Sequence, residues 1–286
     1  MDLSKSTRAD LALIVVTIIW GASFPVVKKA LAQVSPILFL TLRFWVATVV
    51  TLLIAPGAVR GIDLRVLRKG ALLAVFLVGG FMFQTVGLRG TTASKSAFLT
   101  SLCVLLVPLL GYVIFGRKPA WRTLAGVLMA TLGIALLTLT NWDFRFRYGE
   151  TLTLICAIVF ALHILYLGRY APTSDFRQLV LLQMGLGAVL CTILLPVLET
   201  TFLVWDVQFS AYLAFTSVFS TAVAFYLQNR AQQLTTANRA ALIFSLEPLF
   251  AAIFSYLLAG QTLSGREWIG GLLVVAGILV SELRRN

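Results

Sequence analysis

Three ionisable side chains, Arg43, His163 and Glu247, lie inside long apolar runs of a chain of 286 residues. In hydrocarbon such a residue costs about 2.5–3.5 kcal/mol on insertion scales, so it normally turns toward a cavity or a partner. Glu247 directly precedes Pro248, whose missing N–H frees a carbonyl one turn back and permits a kink. It reads either as a protonatable group that binds an amine or couples proton movement, or as a protonated or paired carboxyl that stabilises the kink. Arg43 either snorkels outward or pairs structurally, with carboxylate binding as the alternative. His163 is the only histidine, which excludes a histidine-rich metal site. It stands three residues from both Phe160 and Tyr166, and either lines a pocket or is buried with one hydrogen bond.

Gln84 and Gln228 are polar groups at related places in two other runs, suited to hydrogen bonding at two ends of a pathway or to holding helices together. The aromatic residues Trp20, Phe24, Phe83, Phe98, Tyr166 and Phe225 fall in the runs expected to face the centre. Singly, each is an ordinary packing or lipid-facing residue. Together with His163, Gln84, Gln228 and Glu247 they compose a largely apolar pocket with few polar anchors, the usual make-up of a small-molecule site. No metal or organic cofactor is expected, and no catalytic set: HExxH, GxSxG and the phosphate-binding GxxxxGK[ST] are all missing. A channel or lipid scramblase remains a rival to a solute carrier.

The elements that must position these residues follow from composition. Apolar residues make up 59% and charged residues 12% of the chain, far from soluble norms of about 45–50% and 25%. Apolar runs long enough to cross about 30 Å of hydrocarbon recur throughout. They place ten transmembrane helices at roughly 11–31, 36–56, 67–88, 95–115, 122–140, 150–168, 177–197, 209–229, 238–259 and 267–283. An all-α integral membrane protein is required, because lipid-exposed backbone must satisfy its own hydrogen bonds and the runs lack the alternation of barrel strands. Cys103, Cys156 and Cys191 lie within the runs and act as small hydrophobes.

The net charge of +12 is scattered over short loops, which argues for membrane orientation and against nucleic acid. With the N-terminus in the cytoplasm, fifteen Lys and Arg fall on the cytoplasmic side (5, 8, 60, 65, 68, 69, 117, 118, 122, 169, 177, 230, 239, 284 and 285) and seven on the other (28, 29, 89, 95, 145, 147 and 266). The positive-inside rule therefore puts both termini in the cytoplasm.

Shifting the chain by 144 residues aligns the 44 residues from Thr91 with those from Thr235, with fourteen identities and no gap. Tyr112/Tyr256, Gly116/Gly260, Arg122/Arg266, Gly126/Gly270 and Gly133/Gly277 coincide, and so do Gln84 and Gln228. An offset of 140 sets Arg43 against Gln183 and Pro56 against Pro196. Two five-helix repeats, 1–141 and 142–286, are expected. Five crossings are an odd number, so the second copy enters the bilayer inverted, the architecture of secondary transporters with a site near the midplane. Gly126/Gly133 and Gly270/Gly277 each lie almost two turns apart on one helix face, and predict close packing of the fifth and tenth helices.

WGASFPVVKKAL from Trp20, LTLRFW around Arg43, TTASKSAFLTSL from Thr91 and LEPLF around Glu247 resemble the drug/metabolite transporter superfamily, EamA type, over essentially the whole chain. The resemblance implies a ten-helix exporter of amino acids, other metabolites or cationic drugs in the cell's inner membrane, nearest to the YddG-like aromatic amino-acid exporters. It also implies a small-molecule substrate and the lipid bilayer as partners, with proton coupling and oligomeric state open. The sequence departs from the family's Gly-Glu after the fourth and ninth helices: Arg117 and Gln261 follow the glycines here.

Overall fold

A computed structural model describes residues 5–116, 118–138, 147–259 and 264–282. The side chains of Lys95 and Tyr256, and residues Arg117, Arg145, Gly260, Gln261, Arg284 and Arg285, lie outside the described set. Every regular element among the described residues is helical, and one isolated bridge joins Val34 to Leu203. In chain order the α-helices are α1 Lys5–Ala30, α2 Pro36–Ile54, α3 Leu64–Arg89, α4 Ala93–Ser101, α5 Cys103–Phe115, α6 Trp121–Thr138, α7 Tyr148–Tyr170, α8 Phe176–Leu198, α9 Val207–Ala214, α10 Ala224–Ala231, α11 Ala237–Phe244, α12 Glu247–Ala259 and α13 Gly265–Glu282. A π-helical segment, Phe215–Val223, joins α9 to α10. Among the described residues, seven helical stretches are long and apolar enough to cross a membrane, by length and composition.

The helix starts follow from local chemistry. Asp63, Asp206 and Thr236 accept from backbone N–H groups in the first turns of α3, α9 and α11, and Pro36 begins α2 without leaving an orphan donor. Large apolar side chains such as Leu53, Val113, Val197 and Leu272 stay exposed on the outer surface, as lipid-facing positions require.

Three expected helices are interrupted. The run 95–115 breaks at Leu102, and the run 238–259 breaks at Ser245–Leu246, directly before Glu247. The second break suits Pro248, whose ring collides with the carbonyl four residues back, that of Phe244. The first has no proline beside it, since Pro108 lies inside α5. Both breaks are bridged by tight i→i+3 bonds, Leu102 N to Leu99 O and Ser245 N to Leu242 O. The run 209–229 contains the π segment, where Thr221 Oγ1 donates to the carbonyl of Thr216 five residues back.

Helix α6 packs along α13 through glycine. A Cβ on Gly277 would stand 2.6 Å from the Gly126 carbonyl oxygen, and one on Gly133 would stand 2.6 Å from that of Gly270. Residue numbers rise along one helix as they fall along the other, so the pair is antiparallel. Elsewhere α3 packs on α7 and α1 on α10, α3 on α8 and α2 on the π segment, α5 on α7 and α12 on α1, while α2 faces α8.

Candidate functional site

A cavity opens where these pairings converge, and four helices line it with stripes at helical spacing. Helix α1 supplies Trp20, Ser23, Phe24 and Val27; α3 supplies Phe81, Gln84, Thr85 and Leu88; α7 supplies Phe160, His163 and Ile164; and α10 supplies Phe225 and Gln228. The spacing i, i+3, i+4, i+7 is one face of a helix. Arg43 from α2 and Ser220 from the π segment close one part of the wall. Both helix breaks face the cavity too: Thr100 and Cys103 flank the first, Phe244 and Glu247 the second. Measured as space for the centre of a water molecule the cavity is about 60 Å³, room for a few waters at about 10–15 Å³ each.

The aromatic wall is continuous. Trp20 lies 5.4 Å from Phe225 and 5.0 Å from Phe244, and its indole N–H donates to the Ser220 carbonyl at 3.0 Å. Phe81 meets Phe44, Phe160 and Phe225 edge to face at 5.4–5.8 Å.

Arg43 does not snorkel. It is 2% exposed, its Nε and Nη2 donate to Thr221 Oγ1 at 2.6 Å and Ser220 Oγ at 3.2 Å, and its guanidinium sits 4.4 Å from the Phe81 ring centre. The π segment turns both hydroxyls toward it, a usual reason for such a segment at a site. Glu247, 8% exposed, faces the same cavity from the other half of the chain. Among the described residues no ion pair joins the two. The wall therefore offers a fixed guanidinium and a carboxyl among aromatic rings.

Of the residues selected from sequence, Trp20, Phe24, Gln84, His163, Phe225, Gln228 and Glu247 line this cavity, and Phe83, Phe98 and Tyr166 do not. Phe83 is two residues from Phe81, and 3.6 residues per turn put it on the opposite face of α3. Phe98 is likewise two residues from Thr100 and packs into the core beside Leu99 and Val104. Tyr166 lies a turn beyond His163, edge to face with Phe115 and in tilted contact with Phe76 and Tyr170. Phe81, Thr85, Leu88, Thr100 and Phe244 are among the lining residues that were missed; counting three and four residues from Gln84 along α3 would have found Phe81 and Leu88. Gln84 donates to Thr100 Oγ1 at 3.4 Å, a helix-to-helix bond.

The two ends of the bundle differ. At one, Lys28 Nζ donates to the carbonyls of Leu88 at 2.6 Å and Thr91 at 2.9 Å, while Thr91 Oγ1 donates to Glu150 at 2.8 Å. At the other, a vestibule of about 520 Å³ lies between α5, α7 and the start of α11, lined by Phe115, Arg169, Thr235 and Asn238.

The sequence pattern of the EamA-like transporter family matches twice, over residues 7–139 and 147–283. The chain belongs to the EamA-like transporter family. This EamA-like transporter is 32% identical to an uncharacterized transporter of Archaeoglobus fulgidus over 98% of its own length and 87% of the relative's. It is 24% identical to a probable terminal-alkyne amino-acid exporter of Streptantibioticus cattleyicolor over 98% and 95% of the two chains. A crystal structure of another protein shares the fold with a TM-score of 0.80 at 20% identity, covering 99% of the transporter and all of that chain. The EamA-like transporter is thus a multi-pass membrane protein of a non-enzymatic family, with a small-molecule substrate and the bilayer as its surroundings.

Proposed function

We propose that the EamA-like transporter exports small amphipathic solutes, amino acids or their relatives, across the inner membrane by alternating access. The observation that carries this reading is the enclosed aromatic cavity bearing Arg43 and Glu247. A guanidinium takes a carboxylate by paired N–H donors, a carboxyl takes an amine or a proton, and the rings take an apolar side chain. The name of the Streptantibioticus relative, an amino-acid exporter, favours the same class. An organic-cation exporter is the second reading, favoured by Glu247 sharing one cavity with Trp20 and Phe225.

The frame is ten spans in two inverted repeats, 1–141 and 142–286, and the packing supports it. Under the 144-residue offset the break at Leu102 falls on that at Leu246, and the contact of Gly126 with Gly277 falls on that of Gly270 with Gly133. The pairings of α3 with α7, α3 with α8 and α5 with α7 also recur with the halves exchanged, as α10 with α1, the π segment with α2 and α12 with α1. With both termini cytoplasmic, the vestibule faces the cytoplasm and the Lys28 latch closes the outer end, so this conformation is inward-facing. Phe83, Phe98 and Tyr166 support the cavity from behind or beyond it, and the other seven sequence-selected residues contact solute.

Labelled phenylalanine and labelled tetraphenylphosphonium loaded into proteoliposomes test the reading. Saturable efflux accelerated by unlabelled solute on the far side is expected of the amino acid; saturation by the organic cation alone selects the second reading. Flux that rises linearly with concentration for both would overturn alternating access in favour of a channel.

A further inference from the structure

Two hydrogen-bond relays behind the cavity wall fix which atom each polar side chain presents to the interior. A backbone carbonyl can only accept, so each relay has one direction. In the first, Gln232 Nε2 donates to the Ile164 carbonyl at 3.1 Å, which turns Gln232 Oε1 toward Gln228. That oxygen accepts Gln228 Nε2 at 3.1 Å. Gln228 is 1% exposed, lines the cavity, and its own Oε1 is buried with no partner in the protein.

In the second, Asn229 Nδ2 donates to the Phe225 carbonyl at 2.8 Å, so its Oδ1 accepts Gln183 Nε2 at 3.0 Å; the same Nε2 donates to the Leu179 carbonyl at 2.9 Å. Gln183 Oε1 is left as a pure acceptor, 2.7 Å from His163 Nε2. The imidazole must therefore carry its proton on Nε2, and in the neutral ring Nδ1 is a lone pair. The relays end side by side on α7, at residues 163 and 164, beneath the wall where Gln228 and His163 both face the cavity.

We infer that Gln228 Oε1 and His163 Nδ1 form a preset acceptor pair that recognises the N–H donors of a primary ammonium group, with Gln232 and Gln183 as their positioning residues. This deepens the reading of the cavity as a solute site and rests on it. An unpaired buried amide oxygen is unfavourable until a donor reaches it, and a site built so rejects an isostere that lacks the donor. A primary ammonium has three N–H groups for the two acceptors and the Glu247 carboxyl; a trimethylammonium of equal charge has none. Charge alone would not separate them, whereas acceptor geometry does.

The test is binding to the purified full-length transporter, followed by tryptophan fluorescence, of L-phenylalanine, L-leucine and 2-phenylethylamine, each paired with its N,N,N-trimethyl derivative. At least one primary amine is expected to bind about tenfold or more tighter than its trimethyl partner. Gln228→Met should reduce that ratio to about threefold or less, since it removes the acceptor and keeps the shape. Gln232→Met and Gln183→Met, which touch no solute, should lower the ratio while weakening trimethyl binding little; a purely structural role would weaken both alike. Equal binding of both amines by the unaltered protein, an undiminished ratio in Gln228→Met, or no primary amine bound at all overturns the inference. If solutes without an amine still bind and depend on Trp20, the solute cavity stands without the acceptor pair; if no binding depends on Trp20 or Phe225, the cavity reading itself falls.

Discussion

Residues 7–139 and 147–283 match the same family pattern, and the cavity lies between them with paired positions on its wall. At an offset of 144, Phe81 answers Phe225, Gln84 answers Gln228, Thr100 answers Phe244 and Cys103 answers Glu247; at 140, Trp20 answers Phe160 and Ser23 answers His163. All twelve line the cavity. Aromatic rings and the glutamine recur in both halves, but the charged and titratable groups do not. Arg43, in the first half, stands against Gln183, which holds His163 from behind; Glu247, in the second, stands against a thiol. The doubled frame makes the enclosure, and the differences between copies make it polar in one direction. A solute with two unlike ends would lie in one orientation in such a cavity, and a perfectly repeated wall could not impose that.

The largest effect should come where the two halves are the same. Gly277→Leu drives a side chain into the Gly126 carbonyl and the Ala130 amide nitrogen, 2.6 and 2.9 Å from the first added carbon. Both obstacles are backbone and cannot rotate away, so the loss should exceed the ~1–3 kcal/mol of ordinary overpacking. The expected result is little or no monodisperse protein after detergent extraction. Gly265→Leu, with nothing within 4 Å of its Cβ, should behave as the parent. Normal yield from Gly277→Leu would mean that the α6–α13 seam is not the rigid part of the frame.

Next come the charges that the halves do not share. Arg43→Gln copies the second half's side chain into the first and leaves Thr221 and Ser220 without the guanidinium. Folding should survive, because the replacement is polar and smaller, while solute efflux should fall about a hundredfold, the worth of a paired charged contact at about 1.5–3 kcal/mol. Efflux within a factor of about three of the parent would remove carboxylate binding from Arg43. Glu247→Gln should lower efflux about tenfold and abolish its response to an imposed pH gradient. Efflux that still follows the gradient would place proton coupling elsewhere, while leaving Glu247 open as the amine's partner.

Much of this frame was legible in the sequence, because hydrocarbon imposes length and apolarity on every crossing and the doubled glycines and Tyr112 survive in register. The interruptions were harder. A proline announces the break before Glu247, but the break at Leu102 has no residue to announce it, and Thr100 and Cys103 on either side of it would share one face of an unbroken helix as well. The π segment was invisible for the same reason: no residue in 215–223 marks it, and only the fold brings Ser220 and Thr221 onto Arg43. In the site, residue type carried most of the signal and helical phase decided the remainder: Phe81 and Phe83 are equally aromatic, and only rotation about α3 puts one on the cavity wall and the other off it. Gln183, Asn229 and Gln232 left no mark, since a buried amide behind a wall looks in sequence like one at a helix contact.

The smallest expected effect sharpens the comparison at the two ends of the bundle. Thr91 and Thr235 begin the 44 aligned residues. Thr91 donates to Glu150 and gives its carbonyl to Lys28, whereas Thr235 Oγ1 is buried without a partner beside the vestibule. Valine keeps the shape and removes the hydroxyl. Thr91→Val should therefore cost about 1–2 kcal/mol and lower the melting midpoint in detergent by about 2–4 °C or more. Thr235→Val loses no bond and relieves an unpaired oxygen, so its midpoint should stay or rise slightly. Because alternating access would exchange the two ends, the order should invert in any condition that closes the vestibule: there Thr235 becomes the bonded hydroxyl and Thr91 the free one. Equal shifts for both variants under all conditions would show that the two ends carry the same constraint, and that the latch at Lys28 does not distinguish one conformation from the other.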